Sequence, residues 1–190
     1  MGIEKDVFSS AQALHTYKSD HSLKFTAYAD KRDWAAAMSC YDKAHHLAEL
    51  DGALGLIANI YLNRAELLLE LWDAALAAPA CAHALDTYKK IDDRLGEADS
   101  YRVLGMVFTR REQWTTAEKL LEQSIGLNRQ FENKLGEAEA FRERGRMYVA
   151  LDTPEQARID YDQALEIFRE LHAEADITRV QALIDELGEA

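Results

Sequence analysis

Residues 95–105 read LGEADSYRVLG, and residues 135–145, forty positions later, read LGEAEAFRERG. Both stretches place an aromatic residue four positions before a glycine, and Tyr61 and Ala65 continue the two columns toward the N-terminus. Twelve residues beyond the small residue stands an alanine, which recurs as Ala37, Ala77, Ala117 and Ala157. Independent columns held in one register indicate repeated units of supersecondary structure that stack on one another.

Each unit is predicted to form two helices, because apolar and small residues recur at the spacing of one helical face in two successive segments. In one unit, Gly105 and Phe108 mark the first helix, and Ala117 and Leu121 mark the second. A small residue in the first helix allows another helix to approach. We therefore expect Gly105, and Gly145 in the next unit, at the point where the two helices of a pair cross.

Two prolines bear on where the helices begin. Thr153 precedes Pro154, which predicts a helix start with a capping hydroxyl and proline at the first helical position. Pro79 lies inside the second helix of its unit, where proline costs about 3 kcal/mol. That helix is therefore expected either to kink at Pro79 or to begin late.

The predicted fold class is an all-α solenoid in a single domain over residues 1–190. Its four helix pairs are expected at residues 14–50, 54–91, 94–131 and 134–171. The first pair fits least well, because Phe25 replaces the small residue, as is common in a terminal unit. A capping helix is predicted at residues 175–187, where four apolar residues have helical spacing: Ile177, Val180, Ile184 and Leu187.

Composition limits the classes of partner. The net charge is −12, and both halves of the chain are acidic, so the basic surface typical of nucleic-acid binders is missing. Cys40 and Cys81 form no paired motif and are expected to be buried thiols of a reducing compartment. The chain has no long apolar run and no secretory leader pattern. We expect a cytoplasmic protein that contacts neither membrane nor nucleic acid.

The repeat columns resemble those of the tetratricopeptide repeat family over roughly residues 14–171. That family has an aromatic and a small residue in the first helix, then an alanine and a second small residue in the second. Here these are Tyr101, Gly105, Ala117 and Ser124, followed by Phe141, Gly145, Ala157 and Ala164. The period is 40 rather than about 34 residues, and the proline usual near the end of the second helix is missing.

The longer period is similar to that of kinesin light chains, of leucine-glycine-asparagine repeat scaffolds of cell polarity, and of bacterial regulatory repeat proteins. The resemblance implies a right-handed superhelix whose first helices line a concave groove for a peptide or a partner helix. Some members of the family bind the C-terminal carboxylate of heat-shock chaperones through a clamp of basic and amide side chains, and this sequence lacks that clamp. Asn63 fits one position of that clamp, but Asp99 and Val103 stand where its final basic pair is expected, and Ser22 and Thr26 replace two further residues.

Arginines are concentrated in the first helices of the last two units. Arg102 and Arg142 share one repeat column, and Arg146 follows one turn later. If this face lines the groove, stacked arginines would bind the carboxylates of an acidic partner segment. Alternatively, Glu66, Glu139 and Glu143 neutralise them, or they serve only to keep the helices soluble. The candidate partner-binding residues are Asn63, Glu66, Arg102, Met106, Arg110, Glu139, Arg142 and Arg146.

Nothing in the sequence indicates catalysis. The six histidines lack the spacing of a metal site, and no nucleophile elbow or phosphate-binding loop occurs. We expect no metal, no cofactor and no enzymatic activity, and predict a protein- or peptide-binding module that serves as an adaptor, assembly or regulatory scaffold. The alternatives are a ligand-sensing or enzyme accessory protein with a small molecule in the groove, and a protein that self-assembles through an apolar end face.

Overall fold

The computed structural model describes residues 41–189 except positions 44, 47, 51 and 72. All of the regular structure in this part of the chain is helical, which confirms the all-α prediction. After the helical residues within 41–50, the helices are α1 Leu54–Glu70, α2 Ala74–Lys90, α3 Arg94–Arg110, α4 Trp114–Gln130, α5 Lys134–Ala150, α6 Pro154–Glu170 and α7 Glu174–Glu189.

The helix lengths explain the repeat period. Each helix from α1 to α6 has 17 residues, and three residues separate it from the next, so that two helices and two turns occupy forty residues. The predicted repeat at 14–50 lies largely outside the described residues, as do Phe25 and Cys40.

Contacts divide the chain into two compact units, residues 1–60 and 61–190. In the described part of the first unit, Tyr41, Ala48, Ala58 and Ile60 are buried. In the second unit, each helix from α2 onward packs against the next, and α3 also packs against α5. This consecutive packing is that of a solenoid.

Glycine makes the predicted close crossings possible. A Cβ added at Gly105 would lie 2.5 Å from Cγ of Leu121, and one at Gly145 would lie 2.6 Å from Cδ1 of Tyr161. Ordinary van der Waals contact begins at about 3.4 Å, so neither position has room for a side chain. Both glycines are buried, which confirms the prediction that the two helices of each pair cross there.

The turns that follow α2 to α6 share one conformation. The middle residue of each has a positive φ between 54° and 62°, which is uncommon outside glycine. In the first, the N–H of Asp93 donates to the carbonyl of Tyr88 at 3.0 Å and that of Asp92 to Lys89 at 3.4 Å, a Schellman motif. The five middle residues with positive φ lie twenty positions apart and are Asp92, Glu112, Glu132, Asp152 and His172.

One residue can end one helix and begin the next. Asp93 closes the Schellman motif of α2, and its carboxylate accepts the Gly96 N–H of α3 at 2.9 Å; Asn133 accepts from Gly136 in the same way. Because the same residue serves both helices, a three-residue turn suffices without a terminal proline.

Both prolines lie within helices; the predicted capping hydroxyl of Thr153 was wrong, and of the two alternatives for Pro79 the late helix start is excluded. Pro154 is at the start of α6 as predicted, whereas the Thr153 hydroxyl donates to the Tyr148 carbonyl at 3.0 Å and does not cap α6. The helix that contains Pro79 does not begin late: it runs from Ala74 to Lys90, and the Asp73 carboxylate caps it.

Helix α7 covers the last helix pair, as predicted. Val180 and Ile184 are buried against Phe168 and Leu165 of α6, and Ile177 and Leu187 pack at the margin of the same cluster. The outer side of α7 is polar. Helix α7 therefore buries one apolar face and presents charged residues to solvent.

Cys81 is buried, as expected, and its thiol lies 3.2 Å from the Ser100 carbonyl. Burial raises its pKa to about 12, so the thiol stays protonated and behaves as a core residue. In the part of the chain that the structure describes, no helix has the length and apolar character needed to span a bilayer.

Candidate interaction surface

Helices α1, α3, α5 and α7 occupy equivalent positions in successive repeats and are called the A helices below; α2, α4 and α6 are the B helices. One face of the A helices bears several charged side chains that form ion pairs. This A-helix face is defined by Glu66, Asp99, Arg102, Glu139, Arg142, Glu143, Arg146 and Asp176.

Arg102 on α3 joins three A helices. Its Nη2 donates to Oε1 of Glu66 on α1 at 3.1 Å, and its Nε lies 3.6 Å from Oε2 of Glu139 on α5. The side chain is only 12% exposed. Its Nε is buried and has no hydrogen-bond acceptor among the described residues, because Glu139 is slightly too distant. Arg102 is therefore a largely buried link between repeats.

Asp99 lies one helical turn before Arg102 and is half-buried. Burial raises the pKa of its carboxyl to about 6; Arg102 opposes this rise, while Glu139 and Glu66 add to it. Among the described residues, the carboxylates of Glu66, Asp99 and Glu139 thus act on Arg102, and Glu143 on α5 adds a weaker effect. This part of the A-helix face carries surplus negative charge.

A second cluster lies between α5 and α7. Nε of Arg142 donates to Oε1 of Glu143 at 3.1 Å, and its Nη1 donates to Oδ1 of Asp176 at 3.2 Å. Glu143 is 5% exposed and also accepts hydrogen bonds from Nη1 of Arg146. Arg142 is 12% exposed, whereas Arg146 is 47% exposed. Of these two arginines, Arg146 is the more accessible.

The A helices bring each arginine to carboxylates. The partners of Arg102 lie 36 residues before it and 37 after it, and Asp176 lies 34 after Arg142. Contacts thus fall short of the 40-residue period by three to six residues, or about one to two helical turns, so neighbouring A helices are staggered along their axes. Arg102 and Arg142 share a repeat column, but each is paired with acidic residues. This is what the second interpretation of the sequence predicts, in which nearby glutamates neutralise the arginines.

The remaining candidate residues differ in exposure. Asn63 on α1 and Arg110 at the end of α3 are exposed, and Met106 lies half-buried one turn beyond Arg102. Glu66 and Glu139 are 37% and 30% exposed and serve as the ion-pair partners of Arg102. The eight candidates therefore divide into residues that link A helices and residues that remain accessible.

Sequence reasoning missed two acidic residues of this surface. Asp176 was placed within the capping helix, and Asp99 was considered only as a departure from the carboxylate clamp. Asp176 could have been found by searching for an opposite charge three to six residues short of one period from each arginine. Asp99 could have been found as the carboxylate three residues before Arg102 on the same helix. The Arg144–Asp160 pair was also missed: it joins α5 to α6 through two hydrogen bonds of 2.7 Å.

A separate depression lies where the turns before α5 and α7 meet. It encloses about 700 Å³ and is open to solvent. Leu135 and Leu171 line it together with charged residues, among them Arg129, Glu132 and Lys134. Its mixed, open lining differs from the closed apolar cavity that a small-molecule carrier would need.

Comparison with known proteins agrees with this geometry. The family model described as tetratricopeptide repeat matches residues 56–130 and, overlapping them, 104–170. The crystal structure of BtubC (BKLC) from P. vanneervenii is similar in fold, with a TM-score of 0.63 and 18% sequence identity. That alignment covers 90% of this chain and 75% of BtubC. No curated protein matches. Because the family model spans more than half of the sequence, the chain belongs to the tetratricopeptide repeat family.

Proposed function

We propose that the protein is an interaction scaffold that binds a segment of a partner protein along its A-helix face. The observation that carries this proposal is the alignment of partly exposed charged side chains from successive A helices on one surface, from Glu66 on α1 to Asp176 on α7. Membership of a family of protein-interaction repeats supports the general role. Extended surfaces of this kind suit long, shallow contacts.

The burial and pairing of the arginines change the charge that we expect on the partner segment. The expectation of an acidic partner depended on free guanidinium groups, but Arg102 and Arg142 are each only 12% exposed and already paired. The A-helix face instead offers carboxylates together with the more exposed Arg146. We therefore propose a partner segment that carries both charged and polar side chains, and an acidic segment is no longer required.

The rival proposal is a small molecule held in the groove. Such a ligand is bound best in an enclosed, largely apolar cavity with a few polar groups. The A-helix face is dominated by charged side chains, and the depression near Leu135 is open. Among the described residues, no three potential metal ligands converge. These observations favour the scaffold over the ligand-binding alternative.

Site-specific photo-crosslinking tests the proposal. A photoreactive amino acid replaces Asn63 or Met106 on the A helices, and in a matched control it replaces Ile159, which is 63% exposed on the B helix α6. We expect one defined adduct in source lysate from the A-helix positions, suppressed by excess unmodified protein, and none from Ile159. Equal yields at all positions, adducts at Ile159 alone, or no adduct at either A-helix position would contradict the proposal.

A further inference from the structure

The Arg102 seam consists of Arg102 with Glu66, Asp99 and Glu139, and it joins α1, α3 and α5. Its single guanidinium faces three carboxylates, and its central side chain is only 12% exposed. In such a partly buried cluster, repulsion between like charges is screened less than on an open surface. The seam therefore contains electrostatic repulsion that Arg102 cannot fully offset.

We propose that the Arg102 seam is a pH-sensitive link between repeats, in which protonation of Asp99 removes the surplus negative charge and strengthens the attachment of α3 to α1 and α5 through Arg102. This proposal does not depend on the identity of any partner. The cluster of charges lies within the fold, and the carboxyl group of Asp99 is its titrating group.

The contacts distinguish Asp99 from its neighbours. Glu66 accepts a hydrogen bond from Arg102, and Glu139 is in ion-pair contact with it. The Asp99 carboxylate has no hydrogen-bond donor among the described residues, although the charge of Arg102 acts on it. Its pKa of about 6 reflects this imbalance, since burial and two like charges outweigh one favourable charge.

Other groups from the surrounding helices also face the seam. On α2, Cys81 and Tyr88 have raised pKa values because they are buried, so both are neutral at physiological pH. On α5, Glu143 acts on Arg102 but is held by Arg142 and Arg146. Asp93, the N-cap of α3, adds a further negative charge near Asp99. None of these groups supplies the missing positive charge.

The direction of the pH effect follows from linkage. The pKa of Asp99 is 3.8 in the unfolded chain and about 6 in the folded one, so the folded state binds more protons between these values. Ionised Asp99 therefore lowers stability, and this penalty grows as pH rises from about 4 to about 6. Above about pH 7 the penalty is complete and constant, whereas acidification through pH 6 relieves it.

Two measurements on the full chain test the proposal. Asp99→Asn keeps the shape of the side chain and removes its charge, and Asp86→Asn removes the same charge from an exposed position of α2. At pH 7.5 we expect Asp99→Asn to raise the Tm by about 3–6 °C. The gain should shrink when the pH is lowered through 6. The control Asp86→Asn should melt within about 1 °C of the wild type.

Carboxyl-carbon NMR of the folded protein gives an independent readout. The Asp99 resonance, assigned by its loss in Asp99→Asn, should titrate with a midpoint near 6. Glu139→Gln should lower this midpoint, because it removes one of the like charges that raise it. A midpoint near 4, or an Asp99→Asn variant that melts no higher than Asp86→Asn at pH 7.5, would overturn the proposal.

Discussion

Two glycines in adjacent helices provide a sharp test of the packing. Gly145 on α5 and Gly126 on α4 both lie inside helices, so alanine at either site gains about 1 kcal/mol of helix propensity. They differ in their surroundings. A Cβ at Gly145 would overlap the ring of Tyr161, which is 1% exposed, whereas a Cβ at Gly126 would have no heavy atom within 4 Å.

The magnitude follows from that overlap. The Tyr161 ring would have to move by about 1 Å in a close-packed interior, a change that typically costs about 1–3 kcal/mol. We expect Gly126→Ala to stabilise the protein by about 0.5–1 kcal/mol and Gly145→Ala to be about 1–3 kcal/mol less stable than Gly126→Ala. Urea unfolding followed by circular dichroism measures both. A Gly145→Ala variant as stable as Gly126→Ala would refute the close crossing.

Three further changes test other parts of the structure. Arg142→Glu should lower the free energy of unfolding by about 2–4 kcal/mol, because it places a carboxylate beside Glu143 and Asp176, which among the described residues keep only the more exposed Arg146 and Arg179 as partners. Arg158→Glu at an exposed pair should change it by less than about 1 kcal/mol, and similar losses for the two variants in urea unfolding would contradict this. Glu112→Gly should stabilise by about 0.5–1 kcal/mol, since φ there is +57°, and a loss of stability would be the opposite result. Removal of α7 should expose Phe168 and cause concentration-dependent association, measured by light scattering. A truncated chain that stays monomeric at all concentrations would show that α7 does not act as a cap.

The repeat columns predicted the parts of the fold that depend on size and apolarity. Gly105 and Gly145 could be placed at helix crossings because a close approach excludes any side chain there, whatever the angle between the helices. The capping segment was predictable for a similar reason. Ile177, Val180 and Ile184 lie on one helical face and need an apolar surface to cover.

The charge pairs could not be predicted in the same way, because they depend on the stagger between A helices. Counting by 40 aligns Arg102 with Arg142, yet the actual contacts of Arg102 lie 36 and 37 residues away. The prediction that the Thr153 hydroxyl caps α6 was wrong for a local reason. It donates to the preceding turn instead, an alternative hydrogen bond that the sequence leaves open.

The most direct test of the central claim compares the binding of one captured partner segment to three variants. Asn63→Arg and Arg146→Ala alter exposed residues of the A helices, and Ile159→Ala alters an exposed B-helix residue. By calorimetry, we expect the two A-helix variants to bind about tenfold more weakly and Ile159→Ala to bind within about twofold of the wild type, all with similar Tm values. Loss of affinity in Ile159→Ala together with wild-type affinity in both A-helix variants would contradict the assignment of the A-helix face.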